Sequence, residues 1–386
     1  MTSATRSGEY SGGQPGGLYV SFELGTKEWK LTCTPGVAGK PRVRVMPARD
    51  LARVAREVAE AKQWFGLPAA AGVHSCYEAG RDGFWLHRHL LATGIDNCVV
   101  DSASIEVNRR QRRAKSDRLD GAKLVSMLLR HHAGEPKVWS VVRVPTVEQE
   151  DGRHLHRELR TLKQERTRVT NRMKGLLATQ GVRMAAGRGA ADLEAELEAL
   201  RVWDGSALPA GLRARLQRDG AHAQFLHTQI RELEREREQA TRQAPGPAAE
   251  QTRQLLRLRA IGPNGAGLIV AEFFGWRQFQ NGKQVGAAAG LVPTPYQSGD
   301  EAHEQGISKA GNRHLRGVAI EMAWGWLRYQ PGSELSRWYQ ERFARGGTRA
   351  RKIGIVALAR KLLIALWRFL RDGVLPAGAI LKPVPR

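Results

Sequence analysis

The stretch Lys115-Ser116-Asp117-Arg118-Leu119-Asp120 is the one around which the rest of the chain is organised. Asp117 and Asp120 are three residues apart, so a helix that continues through the apolar segment 119–132 places both on one face. This arrangement suggests a divalent metal ion, because Mg²⁺ prefers carboxylate oxygens and keeps positions open for water and phosphate. The plainer alternative is an exposed helix start, where aspartates offset the helix dipole.

A run of cations precedes these aspartates. Residues 108–115 hold five positive side chains in eight positions. They are predicted to contact nucleic-acid phosphates, a sequence-independent and salt-sensitive interaction, although a solvated loop is the alternative. The predicted contacts are Arg109, Arg110, Arg112, Arg113, Lys115 and Arg118.

Composition supports a polyanionic partner. The chain of 386 residues carries 61 Lys and Arg against 38 Asp and Glu, a net charge of +23. No segment is predicted to cross a membrane, because charged residues interrupt the longest apolar run at 353–370, and residues 1–17 contain no secretory signal. Three scattered cysteines indicate reduced thiols rather than a zinc site, and a cytoplasmic protein is expected.

The first third of the chain alternates between strand and helix patterns. Period-2 apolar runs predict strands at 18–24, 29–33, 42–45, 73–77 and 97–100, and 3.6-residue periodicity predicts helices at 49–65 and 83–93. With the helix that opens at Asp117, the order βββαβαβα predicts an α/β fold, a mixed sheet flanked by helices.

Two further acids fall at the ends of predicted strands. Glu23 lies on the first strand and Glu78 ends the fourth, and these strands can be neighbours in a mixed sheet. Together with Asp117 and Asp120 they would form four carboxylates that repel one another unless cations neutralise them. Two such cations could activate a nucleophile and stabilise the leaving oxygen of a phosphodiester. The alternatives are a solvent-facing edge-strand acid for Glu23 and a loop acid for Glu78.

The middle third is composed of long charged helices. One apolar seam with four- and three-residue spacing runs from Leu155 to Leu176, interrupted at Arg166, and a second runs from Leu212 to Leu233. The two predicted helices could pair with each other, as a coiled coil, or with a second chain. Residues 244–247 then read as a linker.

The last third is predicted to be mostly helical, with helices at 266–274, 283–289 and 352–370. Residues 258–266 resemble the hairpin of a helix-hairpin-helix element, in which Gly262 permits a tight turn whose amides meet a phosphate. Residues 290–300 are predicted to be a loop that presents Ser298, either as a nucleophile or as an ordinary turn serine.

These motifs resemble the DEDD transposases of insertion sequences, in the IS110 family and its IS1111 branch. Lys115-Ser116-Asp117-Arg118-Leu119-Asp120 resembles the family's Lys-(Thr/Ser)-Asp-x-x-Asp box, and Glu78-Ala79-Gly80 resembles a shortened form of its Glu-Ala-(Ser/Thr)-Gly segment. Glu23 stands where the family has Asp, which adds a methylene group.

The C-terminal motifs resemble the transposase domain of the same family. Residues 290–299 contain Gly-Leu-x-Pro and then Tyr-x-Ser-Gly, and the resemblance assigns the nucleophile to Ser298. The rival Ser308 is interpreted as part of a phosphate-binding helix entry. That entry comprises Ser308, Lys309, Asn312, Arg313 and Arg316.

The resemblance covers residues 18–372 and implies five segments. These are a flexible leader (1–16), a RuvC-like, ribonuclease-H-like metal domain (17–138), coiled-coil helices (139–248), a mostly helical transposase domain with the serine loop (249–375) and a tail (376–386).

The resemblance also implies the activity, that of a site-specific DNA recombinase. Its RuvC-like acids would bind one or two Mg²⁺ ions and its serine would form a phosphoserine link to DNA. It would act as a dimer or tetramer on donor and target DNA, guided by a structured bridge RNA, near the bacterial nucleoid. The alternatives are a metal-only structure-specific endonuclease with a structural Ser298, and a non-enzymatic nucleic-acid-binding scaffold.

Overall fold

A computed structural model describes residues 16–36, 40–81, 83–106, 117–183, 193–298, 301–309 and 311–383, without the side chains of 103, 117–120, 193, 295–298 and 301–305. The predicted contacts from Arg109 to Lys115 lie outside these residues, as does the side chain of Arg118. The chain divides into two compact units, Met1–Pro145 and Thr146–Arg386, called here the N-terminal and C-terminal units.

The N-terminal unit contains the predicted mixed sheet. Its strands are β1 (Leu18–Leu24), β2 (Glu28–Thr34), β3 (Arg42–Pro47), β4 (Val73–Glu78) and β5 (Asp96–Val100). Their spatial order is β3-β2-β1-β4-β5, with β1, β4 and β5 parallel and β2 antiparallel to both of its neighbours. The predicted adjacency of the first and fourth strands is therefore confirmed.

Helices cover both faces of this sheet. Helices α1 (Leu51–Trp64) and α2 (Trp85–Ala92) pack on the face that carries Val20 and Phe22 of β1. Helix α3 (Asp117–His132) packs on the other face, which carries Tyr19. This division follows from the alternation of side chains along β1, whose first five residues are all buried.

All three cysteines of the chain lie on strands of this sheet. Cys33 and Cys76 are fully buried and Cys98 is half-buried, and all are free thiols. Burial raises the pKa of both Cys33 and Cys98 to about 12. The thiols are therefore protonated at neutral pH and poor nucleophiles in the folded state.

The C-terminal unit begins with a helical hairpin. After the short α4 (Val147–Asp151), helix α5 (His154–Ala178) packs against the 34-residue α7 (Ala210–Gln243), with α6 (Leu193–Ala199) between them in sequence. The shared core contains apolar residues of both predicted seams. They include Val169, Met173, Leu216 and Leu226.

Polar side chains of the two helices also contact each other across this hairpin. Arg166 Nη1 lies 3.3 Å from His227 Nδ1, and Asp219 accepts hydrogen bonds from Arg172 Nε and Nη2 at 3.0 and 2.6 Å. The sequence thus predicted correctly that these two helices could pair within one chain, while the coiled-coil geometry stays a prediction.

The remaining helices surround the largest apolar core among the described residues. They are α8 (Pro247–Leu256), α9 (Pro263–Ile269), a π-helical turn (Val270–Phe274), α10 (Gly282–Ala288), α11 (Arg313–Tyr329), α12 (Glu334–Tyr339), a second π-helical turn (Gln340–Ala344) and α13 (Thr348–Asp372). Within the described residues, no helix is long and apolar enough to cross a membrane.

The predicted serine loop is instead a β-hairpin, which corrects the sequence-based expectation. Strand β6 (Pro293–Ser298) pairs antiparallel with β7 (Glu301–Ile307), and Ser298 is opposite Glu301. Both strands of a two-stranded sheet are edges, where proline is tolerated. A register irregularity between Pro293 and Pro295 accompanies them.

The turn before α9 also differs from expectation. Gly262 is the N-cap of α9 with φ −95° and ψ 168°, an extended conformation that any residue adopts. The left-handed position is Ala260, with φ 82°. The conformational freedom of glycine therefore does not explain Gly262, and the strained residue of this turn lies two positions earlier.

Candidate functional site

Two of the predicted acids lie at the carboxyl ends of adjacent parallel strands. Glu23 follows Phe22 on β1, Glu78 follows Tyr77 on β4, and Phe22 and Tyr77 are in register. Because successive side chains alternate between faces and both aromatic rings are buried on the α1–α2 face, both acids lie on the face that α3 covers. The ends of the two strands thus bring Glu23 and Glu78 to one edge.

Helix α3 begins at the same edge. Ser21 Oγ donates a hydrogen bond to the Gly121 carbonyl oxygen at 2.9 Å, which joins the first turns of α3 to β1. Asp117 is the first residue of α3 and Asp120 directly precedes Gly121. Their side chains lie outside the described residues, so the structure locates the turn that carries them and not their carboxylates.

Gly121 makes room for the longer acid on β1. A Cβ atom at position 121 would lie 3.0 Å from Glu23 Oε1 and would collide with Thr32 Oγ1. A larger residue would therefore push α3 away from the sheet. The absence of a side chain at Gly121 therefore leaves room for the carboxylate of Glu23.

Replacing Gly121 by alanine is expected to destabilise the N-terminal unit by about 1–3 kcal/mol, because overpacking forces α3 or Thr32 to move. Denaturant unfolding checks this. The matched control is Gly175→Ala in α5, where a Cβ atom meets no other group and alanine favours the helix. An equally stable Gly121→Ala protein would contradict the close approach.

The charge of Glu23 is partly balanced by a neighbouring lysine. Lys30 is its cross-strand partner on β2, and Lys30 Nζ lies 3.5 Å from Glu23 Oε2. Both side chains are mostly buried, with 16% and 22% of their surfaces exposed. Glu78, in contrast, is exposed at the end of β4. Of the two acids whose side chains are described, Glu78 is therefore the more accessible to a cation.

A second polar network, in the C-terminal unit, was not predicted from the sequence. Glu272, in the π-helical turn after α9, is only 6% exposed. Arg157 of α5 donates to both of its carboxylate oxygens, at 2.6 and 3.0 Å, and Asn312 Nδ2 lies 3.4 Å from Oε2. Burial raises the pKa of Glu272, but Arg157 and nearby guanidinium groups outweigh it, so the pKa lies below its usual value.

Asn312 connects this network to the predicted phosphate-binding entry of α11. It is the N-cap of α11, and its side-chain oxygen accepts from the N–H groups of His314 and Leu315 at 2.9 and 3.4 Å. Lys309 and Arg313 are exposed beside it, and Lys309 has φ 55°. A helix N-terminus bordered by cations favours an anion.

Several arginine side chains of this region lie close enough to repel one another. Burial and the Arg313 charge lower the pKa of Arg160, and burial and the same Arg313 charge lower the pKa of Arg316. Buried Arg153 lies with its guanidinium carbon 4.3 Å from the Trp276 ring centroid. The network therefore carries excess positive charge around one buried carboxylate, which suits phosphate as a counter-ion.

His156 of α5 is predicted to make the C-terminal unit sensitive to acid. Burial, followed by the charge of Arg237, lowers its pKa from 6.5 to about 4. Above pH 6.5, His156 is neutral in both the folded and the unfolded protein and does not change the free energy of unfolding. As the pH falls below 6.5, the unfolded protein binds the proton first, so the folded state loses stability. The loss between pH 6.5 and pH 4 is about 3 kcal/mol.

Denaturant unfolding of His156→Asn at pH 7 and pH 5 checks this expectation. The variant should lose less stability between the two pH values than the unchanged protein does. His154→Asn is the control, because His154 is exposed two residues earlier on the same helix. Equal pH dependence in all three proteins would refute the assignment to His156.

Comparisons with known proteins identify the family of the chain. Residues 252–340, which include Gly262, Glu272, Ser298 and Asn312, match the family model described as Transposase IS116/IS110/IS902 family. The chain is also 43% identical over 380 residues to the putative transposase y4rJ of Sinorhizobium fredii, covering 95% of each protein. The chain belongs to this transposase family.

Other transposases match a smaller part of the chain. The probable family 20 transposase of Pseudomonas aeruginosa is 33% identical over 231 residues, 59% of this chain and 66% of that protein. The transposase for insertion sequence element IS1111A of Coxiella burnetii is 29% identical over 231 residues, 58% of this chain and 60% of that protein. The predicted family of insertion-sequence transposases is thus confirmed.

Proposed function

We propose that this transposase cuts and rejoins DNA with a RuvC-like, ribonuclease-H-like metal site and a serine nucleophile. One observation carries the proposal. Glu23, Glu78 and the first turn of α3 lie at the same edge of the sheet, the carboxyl ends of β1 and β4. The β3-β2-β1-β4-β5 order supports the fold assignment, because it gives the acids neighbouring strands.

The chemistry of this donor set suits Mg²⁺. Glu23, Glu78, Asp117 and Asp120 offer only carboxylate oxygens, and no cysteine lies on the turn that carries the aspartates. When bound, one or two Mg²⁺ ions would neutralise charge on the attacked phosphodiester and help to ionise a hydroxyl group. Lys30 holds Glu23 in place by its ion pair.

Ser298 is proposed as the nucleophile. Its Oγ attacks a DNA phosphorus atom, a new P–O bond to serine forms, one P–O bond of the DNA strand breaks, and the leaving DNA oxygen takes up the serine proton. The number of phosphate ester bonds is unchanged, so a DNA hydroxyl can reverse the step without ATP. Ser298 is at the end of β6, beside the turn of the hairpin.

The cationic surfaces are proposed to hold the nucleic acids. Arg313, Lys309 and Arg316 at the start of α11 would contact DNA phosphates, as would the cations of residues 109–118. A net charge of +23 suits donor DNA, target DNA and a structured bridge RNA together. Assembly as a dimer or tetramer, near the nucleoid, completes the proposal.

The test of the metal site is the variant Glu78→Gln, which keeps the shape of the side chain and removes its charge. Cleavage of the transposon end in Mg²⁺ should fall by at least about 100-fold, with DNA binding retained, because charge stabilisation is lost in the transition state. Chelation of Mg²⁺ should have a similar effect on the unchanged protein.

The matched control is Glu60→Gln. Glu60 lies on α1, on the opposite face of the sheet, and pairs with Arg42 at 2.8 Å. The Glu60→Gln protein should cleave DNA normally. Unaltered cleavage by Glu78→Gln would refute the metal site, whereas cleavage that needs Mg²⁺ but leaves no protein on the DNA would indicate a metal-only endonuclease. Binding without any cleavage would indicate a scaffold.

A further inference from the structure

A second group of potential metal ligands lies at the opposite edge of the sheet from the acids. His74 is near the start of β4, Asp96 is the first residue of β5 and His132 is the last residue of α3. Because β4 and β5 are parallel, their starts lie at the edge opposite Glu78. Helix α3 connects the two edges, since its 16 residues span about 22 Å.

The ligand atoms of these three residues are close enough to share one ion. His74 Nδ1 lies 3.0 Å from Asp96 Oδ2, and His132 Nε2 lies 3.8 Å from the same oxygen. One ligand atom from each residue lies within 4.8 Å of the others. Ligands about 2.0–2.1 Å from a tetrahedral zinc ion are about 3.3 Å apart, so small side-chain rotations would complete the geometry.

The backbone and a buried aromatic ring hold this group in place. His74 is in register with Tyr19 on β1 and with Asp96 on β5, so the three residues are neighbours across three paired strands. The His74 ring stacks on Tyr19 with centroids 5.3 Å apart, and the His74 and His132 centroids are 4.1 Å apart. Tyr19 itself is only 2% exposed, so it is a fixed support.

We propose that His74, Asp96 and His132 form a binding site for a borderline divalent metal ion such as Zn²⁺. Two imidazoles and one carboxylate are a ligand set that zinc accepts and that Mg²⁺ does not favour. Asp96 and His132 are exposed, which leaves the remaining position for water.

The bound ion would link the C-terminal end of α3 to the N-terminal ends of β4 and β5. The ion would add a connection between the end of α3 and two strands that already pair with each other, so it would stabilise the N-terminal unit by binding the folded state alone. The site does not depend on the proposed reaction, and it contains none of the four acids assigned to Mg²⁺.

The experiment is a zinc titration of the complete metal-free protein by calorimetry in the presence of excess Mg²⁺. The expected result is one Zn²⁺ ion per chain, and a melting temperature of the N-terminal unit that rises by about 5 °C or more at saturation. Co²⁺ substitution should give the visible absorption of a nitrogen- and oxygen-liganded site. Failure of the unchanged protein to bind one ion would overturn the proposal.

Variants assign the ligands. Zn²⁺ binding should weaken by at least tenfold in each of the variants His74→Ala, His132→Ala and Asp96→Asn. The control is His131→Ala, at the exposed neighbour of His132 on α3, which should bind Zn²⁺ normally. Circular dichroism of the metal-free variants tests their folding, and the exposed Asp96 provides a substitution that the fold tolerates. Glu78→Gln should bind Zn²⁺ normally. Equal affinity in the unchanged protein and all three ligand variants would overturn the assignment.

Discussion

Replacement of Ser298 by alanine is expected to abolish the covalent adduct between protein and DNA. The substitution removes the only atom of this residue that can form a phosphate ester, so the loss should exceed about a thousandfold, as expected when a nucleophile is deleted. The DNA substrate should still bind, because phosphate contacts by cationic side chains do not use this hydroxyl. A denaturing gel of labelled DNA, on which the adduct migrates slowly, measures the result.

Ser308→Ala is the matched control. Ser308 is an exposed serine of the same hairpin region, and its backbone N–H donates to the Val292 carbonyl oxygen at 2.9 Å. This backbone bond survives the substitution, so the fold of the region is preserved and the adduct should form. An adduct that persists in Ser298→Ala and disappears in Ser308→Ala would transfer the assignment to Ser308.

Replacement of Glu272 by alanine is expected to destabilise the C-terminal unit by about 3 kcal/mol. The substitution removes the carboxylate that pairs with Arg157 and whose charge acts on the buried guanidinium of Arg153. Because the folded pKa of Glu272 is depressed, its contribution is present above the unfolded pKa and decreases as the pH falls through the folded pKa. The difference between the two proteins should therefore shrink in acid.

Denaturant unfolding monitored in both units measures this effect. Only the transition of the C-terminal unit, which contains Glu272, should move. Glu321→Ala, an exposed acid on α11, is the control and should change stability by no more than about 0.5 kcal/mol. A Glu272→Ala protein as stable as this control would mean that the network does not stabilise the fold.

The parts of the fold that depend on local patterns could be predicted from the sequence. Alternating apolar residues gave the strands of the sheet, and apolar seams gave the paired α5 and α7, because both patterns record which face is buried. The edge shared by Glu23 and Glu78 followed from strand adjacency alone. The family assignment followed from motifs whose order along the chain is more specific than any one of them.

What was missed depends on contacts between distant residues or on exceptions to local rules. Glu272 and Arg157 are 115 positions apart, and neither has a spacing that indicates a partner. The β6–β7 hairpin was predicted to be a loop because its prolines resemble those of a turn, although an edge strand accepts them. The tight turn before α9 was assigned to Gly262, whereas the left-handed backbone position is Ala260.

The placement of the three cysteines has a practical consequence for studying this chain. All of them lie on β2, β4 and β5, and the C-terminal unit contains none. Cys33 and Cys76 are fully buried, so an alkylating reagent added to the native protein would react with these two thiols only when the sheet opens. The rate at which these thiols are alkylated measures the opening of the N-terminal unit alone. As in hydrogen exchange, local opening can then be followed without an engineered label.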